Sequence, residues 1–280
     1  MTFHIYDSFS REKKKFEPIN SDDIRIYACG PTVYSYAHIG NARMSVVTDL
    51  LVRVLKTIYE NVKFVSNITD IDDKIIEASR VSGKKIKDIT DKFHKIYNDD
   101  MTNIGVKKPD VQPKATDHIK EMIEMIKSLV RKEFAYVVDK HVLFNVKKYK
   151  HYGKLSRRTK EEQIAGSRVE VASYKKNPED FILWKPSKND EPSWNSPWGD
   201  GRPGWHIECS AMSAKCLGTP FDIHCGGIDL TFPHHENEIA QSCSLIGGDC
   251  RPENFSKYWF HNGFVTVSGE KMSKSLGNIK

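Results

Sequence analysis

The 280 residues are enough for one large domain or two smaller ones, and 39% hydrophobic with 29% charged residues is a globular composition, neither disordered nor fibrous. A formal net charge of +6, with Lys and Arg gathered in runs such as REKKKF and KLSRRTK, suits a polyanionic partner and equally a solvated face. Six unevenly spaced cysteines make no disulfide framework, the N-terminus has no apolar signal core, and no apolar run approaches the ~20 residues that span a bilayer. A reducing, cytoplasmic setting with no membrane partner is therefore expected.

After a polar lead-in, IRIYACG (24–30) reads as a short buried strand and PTVYSYAHIG (31–40) as an irregular loop. NARMSVVTDLLVRVLKTIYE (41–60) has apolar residues at helical spacing, so the three segments form a strand, loop and helix unit. In a doubly wound α/β fold the loop of such a unit lies at the carboxyl end of the sheet, where the helix N-terminus offers N–H groups to phosphate. Cys29 sits at the strand end and His38 at the helix start. A second strand and turn follows at VKFVSNITD (62–70), then helical DDKIIEASR and KDITDKFHKIYNDDM, and this alternation predicts a parallel sheet.

From about residue 116 the pattern changes. TDHIKEMIEMIKSLVRKE reads as a helix capped by Thr116 or Asp117, and FAYVVDKHVLFNV as two short strands around Asp139 and Lys140. About fifty polar, irregular residues follow, holding a strand at FILWKPS and the loop WNSPWGDGRPGW. The stretch reads as an α+β insertion between two halves of the sheet. FDIHCGG (221–227), a helix from about 234 to 246 and a strand over 258–267 resume the α/β alternation, and no internal repeat is evident.

The stretch 204–242 most constrains the chemistry. If a helix opens after Pro233, His234 and Glu238 are four apart and project from one face, as a clamp on a metal requires, with Cys209 reaching them from the preceding helix. Each has a plainer reading: a Cys in IECSAMSA as a small buried hydrophobe, an acid in a first helical turn as a complement to the helix dipole. Together they are the borderline-soft donor set that Zn²⁺ prefers, although the spacing alone is not a specific zinc signature. The GGID turn, with two glycines that admit close backbone approach and an Asp able to accept from sugar hydroxyls, reads as a nucleotide contact through Gly226, Gly227 and Asp229.

HIGN at 38–41 and KMSKS at 271–275 resemble the two signatures of class I aminoacyl-tRNA synthetases, in the order and with the separating insertion of that class. CGPTVY, NITDIDDKI, PGWHIECSAM and GGIDLTFPHHENEIAQS together are similar to cysteinyl-tRNA synthetases over nearly the whole chain. The resemblance implies a Rossmann-like catalytic domain in two halves, 1–116 and 201–280, separated by a connective insertion at 117–200. It implies one zinc per chain on Cys29, Cys209, His234 and Glu238, and an amino-acid pocket lined by Thr69 and Trp205, residues that equally suit a turn cap and a core aromatic. His38, Gly40 and Asn41 would contact the ATP phosphates, with Gly226, Gly227 and Asp229 at the nucleoside, while Lys271 and Lys274 neutralise pyrophosphate. Substrates would be L-cysteine, ATP with Mg²⁺ and tRNA(Cys), and the chain a monomer. Asn41 departs from the usual HIGH. Only five residues follow Ser275, where the family continues into an anticodon-binding domain, so a catalytic portion without that domain is expected. Two other readings stay open: an ATP-dependent ligase joining cysteine to an amine other than tRNA, as in a mycothiol-pathway relative, and a non-catalytic tRNA-binding paralogue. A nucleotidylyltransferase sharing only the HIGH-type loop would not need the metal set.

Overall fold

The computed structural model describes residues 2–159, 161–162, 174–247, 249–272 and 277–278. In chain order its elements are β1 (His4–Asp7), β2 (Glu12–Lys15), β3 (Ile24–Ala28), α1 (Ile39–Lys56), β4 (Val62–Ser66), α2 (Asp73–Ser82), α3 (Ile86–Asn103), α4 (Ile119–Arg131), β5 (Ala135–Val138) and β6 (His141–Phe144). They continue with β7 (Phe181–Pro186), β8 (Gly201–Pro203), α5 (Trp205–Leu217), β9 (Phe221–Gly227), α6 (Glu236–Ile246), β10 (Ser256–Asn262), β11 (Thr266–Val267) and β12 (Glu270–Lys271). Two compact units result: 1–116 with 221–229 and 258–280, and 117–220 with 230–257. No helix among the described residues is long and apolar enough to cross a membrane.

The first unit is built on a sheet of order β10-β9-β3-β4. β3 runs parallel to β4 on one side and to β9 on the other, pairing Ile26 with Phe64 and with Ile223. Covered on both faces, such strands read as near-continuous apolar runs, and Ile24, Ile26, Tyr27 and Ala28 are all buried. α1 bridges β3 and β4, placing Leu51, Val52 and Leu55 in the core with Ile24, Ile26 and Ile223. This is the expected Rossmann-like α/β arrangement.

The polar lead-in, by contrast, holds an antiparallel hairpin of β1 and β2, in which His4 faces Lys15. Buried carboxylates fasten it and the following segment to the sheet. Asp7 accepts from the backbone N–H groups of Phe9, Ser10 and Trp259, and Asp222 from those of Ile19 and Arg25. Each would be costly to bury without such donors.

On β10, Trp259 stacks on His224 with ring centroids 4.6 Å apart, and His261 lies beyond it at 6.2 Å. Burial, and secondarily the neighbouring His224, push the His261 imidazole down to about 3. Unfolding frees a ring that protonates near the usual 6.5, so the unfolded state binds the extra proton between these values and stability falls as pH drops through that window. From pH 7 to pH 5 the chain should lose about 2 kcal/mol on this account, and His261→Phe should flatten the fall in urea midpoint by that amount. An unchanged pH slope in the variant would contradict the assignment.

The second unit carries a four-stranded antiparallel sheet, β5-β6-β7-β8. Asp139 and Lys140, both at positive φ, form the two-residue turn between β5 and β6. The 194–205 loop conceals β8, whose Arg202 pairs with Lys185 of β7. The helix expected from Thr116 starts later: a 3₁₀ turn spans Ala115–His118, and α4 begins at Ile119 with His118 as its cap residue. Thr116 is engaged elsewhere, donating from its backbone and its hydroxyl to the Asp70 carboxylate at 2.9 and 2.6 Å.

Candidate metal and nucleotide sites

Cys29 follows β3 directly, buried, and its N–H donates to the Cys225 carbonyl of β9 at 3.2 Å. β3 departs to α1 and β4 on one side while β9 lies on the other, so their carboxyl ends form the kind of switch point at which open α/β sheets bind ligands. Gly30 permits the backbone geometry there: a Cβ would stand 1.6 Å from the Asn67 carbonyl oxygen. Asn67 also accepts from the Gly30 N–H and from the Tyr27 hydroxyl. Thr69, buried, receives a long side-chain bond from Asn67 at 3.4 Å, and its backbone N–H donates to the Pro31 carbonyl, so it anchors the loop before α1.

His38 is the N-cap of α1. Its Nδ1 accepts from the Gly40 N–H at 3.0 Å, and the Asn41 side-chain carbonyl accepts from the His38 N–H at 3.1 Å, a reciprocal capping box. The acceptor role of Nδ1 places the proton of a neutral imidazole on Nε2. Asn41 thereby has a structural role in its departure from HIGH: its oxygen is committed to the cap while its amide nitrogen remains a donor. At Gly40 a Cβ would lie 2.8–2.9 Å from the His38 ring, so glycine is what lets the ring fold over the helix end. The first turn of α1 has no acidic residue, so the partial positive charge of the helix end is left to an anion, while the Gly40, Asn41 and Ala42 N–H groups already donate to His38.

The first two residues of the second signature stand close by in the same unit. β11 and β12 form a hairpin turning at Ser268 and Gly269, with Thr266 opposite Lys271. The buried Met272 donates its N–H to Val265 and brings its methyl within 3.7 Å of the Cβ position of Gly40. Lys274 lies outside the described residues. The GGID segment ends β9 in a 3₁₀ turn, Ile228–Leu230, with Asp229 exposed. A Cβ on Gly227 would come 2.5 Å from an Asp229 carboxylate oxygen, so the glycine leaves room for that side chain to fold back over the backbone.

In the second unit, α5 carries Trp205 and Cys209, and the turn before α6 carries His234. Gly204 caps α5 where a Cβ would meet the Ile182 carbonyl at 2.2 Å, so glycine allows the helix to start hard against β7. α6 is buried on every face over Glu236–Ser244. It begins two residues later than expected, after an irregular turn, Thr231–His235, in which Phe232 is extended, but the juxtaposition holds. Cys209, His234 and Glu238 are 2%, 1% and 0% exposed, and one ligand atom of each lies within 4.8 Å of the others. His234 Nε2 is 3.1 Å from a Glu238 oxygen. A thiol, an imidazole and a carboxylate converging without solvent fit a borderline-soft divalent ion, which would offset the cost of burying the charges.

Of the rings that surround this trio, sequence reasoning named Trp205 but missed His206. His206 Nδ1 lies 3.0 Å from His234 Nδ1, and Trp205 stacks on the His234 ring with centroids 4.2 Å apart. If His234 turns Nε2 to a metal, its Nδ1–H donates to His206, the kind of partner that fixes a ligand's tautomer and orientation. Glu236 and Asn237, left unassigned in the sequence, hold the loop before them. Glu236 accepts from the Gly153 and Ser156 N–H groups, both at 2.8 Å, and Asn237 from the Tyr152 hydroxyl. Burial raises the Glu236 carboxyl above the usual range, against those bonds. His206→Ala should weaken metal retention by about 10–100-fold against a competing chelator, with partial rescue by His206→Asn, which keeps an acceptor. Unchanged retention would remove His206 from this role.

Residues 15–280 match the family profile described as the tRNA synthetases class I (C) catalytic domain, and the chain belongs to that family. It is 57% identical over 279 residues to a protein named cysteine--tRNA ligase from Maricaulis maris, covering 99% of this chain and 59% of the relative. A cysteine--tRNA ligase from Pelagibacter ubique is 55% identical over 277 residues, covering 98% of this chain and 60% of that protein. The chain thus spans about three fifths of the length of the curated relatives it matches. Among solved structures, Mycobacterium tuberculosis methionyl-tRNA synthetase in complex with methionyl-adenylate has the same fold at 15% identity, with a TM-score of 0.65 over 92% of this chain and 60% of that one.

Proposed function

We propose that this chain forms cysteinyl-adenylate from L-cysteine and ATP with Mg²⁺, and serves transfer of the cysteinyl group to the terminal ribose of tRNA(Cys). The observation that carries the reading is the buried Cys209, His234 and Glu238 trio under the Trp205 ring, in a chain whose relatives are named cysteine--tRNA ligase. On the family pattern Cys29 is the fourth ligand of one zinc ion per chain. When bound, zinc supplies a coordination position for a thiolate, which a serine hydroxyl, harder and far less acidic, fills poorly. A site built around one functional group rejects the analogue lacking it by ~10⁴–10⁵, and so needs no editing.

The chain's own residues then act by positioning. His38 through Nε2–H and Asn41 through its amide donate to the ATP phosphates over the α1 N-terminus. The backbone of Gly40, Gly226 and Gly227 admits the nucleotide closely, and Asp229 accepts from the ribose hydroxyls. Thr69 and Trp205 line the amino-acid pocket. The cysteine carboxylate attacks the α-phosphorus and pyrophosphate departs, its growing charge met by Lys271 and Lys274. Residues 1–116 and 201–280 would be the halves of the catalytic domain, 117–200 its connective insertion, and the protein a cytoplasmic monomer.

Cysteine-dependent exchange of pyrophosphate into ATP tests the reading, and offering tRNA(Cys) or an amino sugar as acceptor separates it from a cysteine ligase of other amines. Lys274→Ala should slow exchange by about 2–4 kcal/mol, some 30–1000-fold, with a smaller change in cysteine affinity. Exchange driven equally by serine, or none at all with zinc bound, would overturn the proposal.

A further inference from the structure

Of the four cysteines outside the metal chemistry described above, two lie side by side. Cys243 sits in the last turn of α6 and Cys250 just beyond the helix; they are 1% and 5% exposed. The Cys243 thiol donates to the Arg251 carbonyl at 3.2 Å, and the Cys250 thiol points to the same oxygen at 3.7 Å. That oxygen is fixed: it accepts from the Asn254 N–H at 2.9 Å while the Asn254 side chain accepts from the Arg251 N–H at 3.0 Å. The Tyr149 hydroxyl holds the neighbouring Cys250 carbonyl at 3.2 Å. Two sulphurs that reach one immobilised acceptor are neighbours that interact with each other, whereas buried thiols that merely fill space have no need to share a partner.

We propose that Cys243 and Cys250 are a dithiol modification site that closes to an intramolecular disulfide with a low-molecular-weight disulfide as oxidant. Cys250 attacks one sulphur of the oxidant, its S–S bond breaks, and the departing thiolate takes up the proton that Cys250 has lost. Cys243 then attacks the mixed disulfide at Cys250. The second small thiol leaves with the Cys243 proton, so the protein loses two hydrogens and two electrons and the oxidant becomes two thiols. The order follows from the surroundings. The Cys243 proton, turned from the Arg251 carbonyl to a Cys250 thiolate, holds the Cys250 thiol below its ordinary value, against burial and the nearby Glu253 and Asp249 carboxylates, while Cys243 is raised by that bond and by burial. Cys250 is also the less enclosed of the pair, 5% against 1% exposed, and lies between the exposed Asp249 and Arg251. Cys225, fully buried and raised by burial, has no such features. The closed ring would tie the C-terminal end of the helix that bears Glu238 to the segment leading into β10.

The test is incubation of the folded, zinc-loaded chain in graded mixtures of reduced and oxidised glutathione, trapping with an alkylating agent, and peptide mapping by mass. The expected product is a linked Cys243–Cys250 pair two hydrogens lighter than the dithiol. Its half-closure should fall at a ratio of oxidised to reduced glutathione at least about tenfold lower than for the same chain unfolded in urea. Cys243→Ser should stop at glutathione on Cys250, and Cys250→Ser should leave Cys243 unmodified. Alkylation of both thiols throughout, glutathione on Cys250 of the unaltered chain with no ring, or closure no easier than in urea would each overturn the proposal. The unaltered chain decides the question even if a variant fails to fold.

Discussion

Cys209→Ala is expected to purify without stoichiometric zinc. The substitution takes the thiolate from a buried three-residue cluster, and the His234 and Glu238 left behind form a pair 3.1 Å apart that can share a proton instead of a metal. Metal affinity should fall by well over ~100-fold, beyond the loss from any residue that only orients a ligand. Elemental analysis of the purified variant measures it directly. Cysteine activation should vanish with the metal while ATP still binds, since the proposed phosphate contacts belong to the capped N-terminus of α1. Cys209→Ser should behave almost as badly, a hydroxyl being a poor replacement for a thiolate. Retention of one equivalent of zinc by Cys209→Ala would remove this residue from the metal site, and with it the main support for thiol recognition.

Gly30→Ala should unfold the chain or come close to it. A methyl group there would sit 1.6 Å from the Asn67 carbonyl oxygen and 2.8 Å from its carbon, both backbone atoms, so no rotamer change relieves the clash. β3 and β4 would have to part at their carboxyl ends, breaking the bonds from Gly30 and Tyr27 to Asn67, and a loss of roughly 4 kcal/mol or more is expected. Gly105→Ala is the control. It has nothing within 4 Å but a φ of +85°, so only about 1–2 kcal/mol of backbone strain should appear in its urea midpoint. Equal midpoints for the two variants would mean that the β3 and β4 ends can part without the loss expected of so close an approach.

How much of this was legible beforehand depended on the range of the forces involved. β3, β4, α1 and β9 announced themselves because parallel strands buried on both faces are continuous apolar runs and the helix between them keeps a regular period. The β1–β2 hairpin did not, because Glu12–Lys15 is polar on both sides and the hairpin is tied to the sheet through Asp7, whose donor Trp259 is 252 positions away in sequence. β8 was lost among Pro, Gly and Trp for the same reason: three residues become a strand only because β7 is beside them. The apposition of Cys209, His234 and Glu238 was foreseeable from helical spacing. His206 was not, since its partner is 28 positions distant and a second histidine beside a tryptophan carries no periodic signal. The capping box at His38 could have been read from Asn three positions on, had histidine been counted among cap residues.

The pairing of β3 with β9 also sets the order in which the protein can be made. Ala28 faces Cys225, 197 positions later, as do Arg25 and its acceptor Asp222. At synthesis rates of about 5–20 residues per second, β3 must wait some 10–40 seconds for its central neighbour, with one row of peptide groups unpaired. All of 117–220 emerges in that interval, and closing so long a loop is slow while that segment still lacks 230–257, which completes its unit. The carboxyl ends of β3 and β9, where the proposed ligand site lies, are therefore among the last features to form, and a nascent chain stalled before residue 221 would display the bare edge of β3 to any other strand that met it.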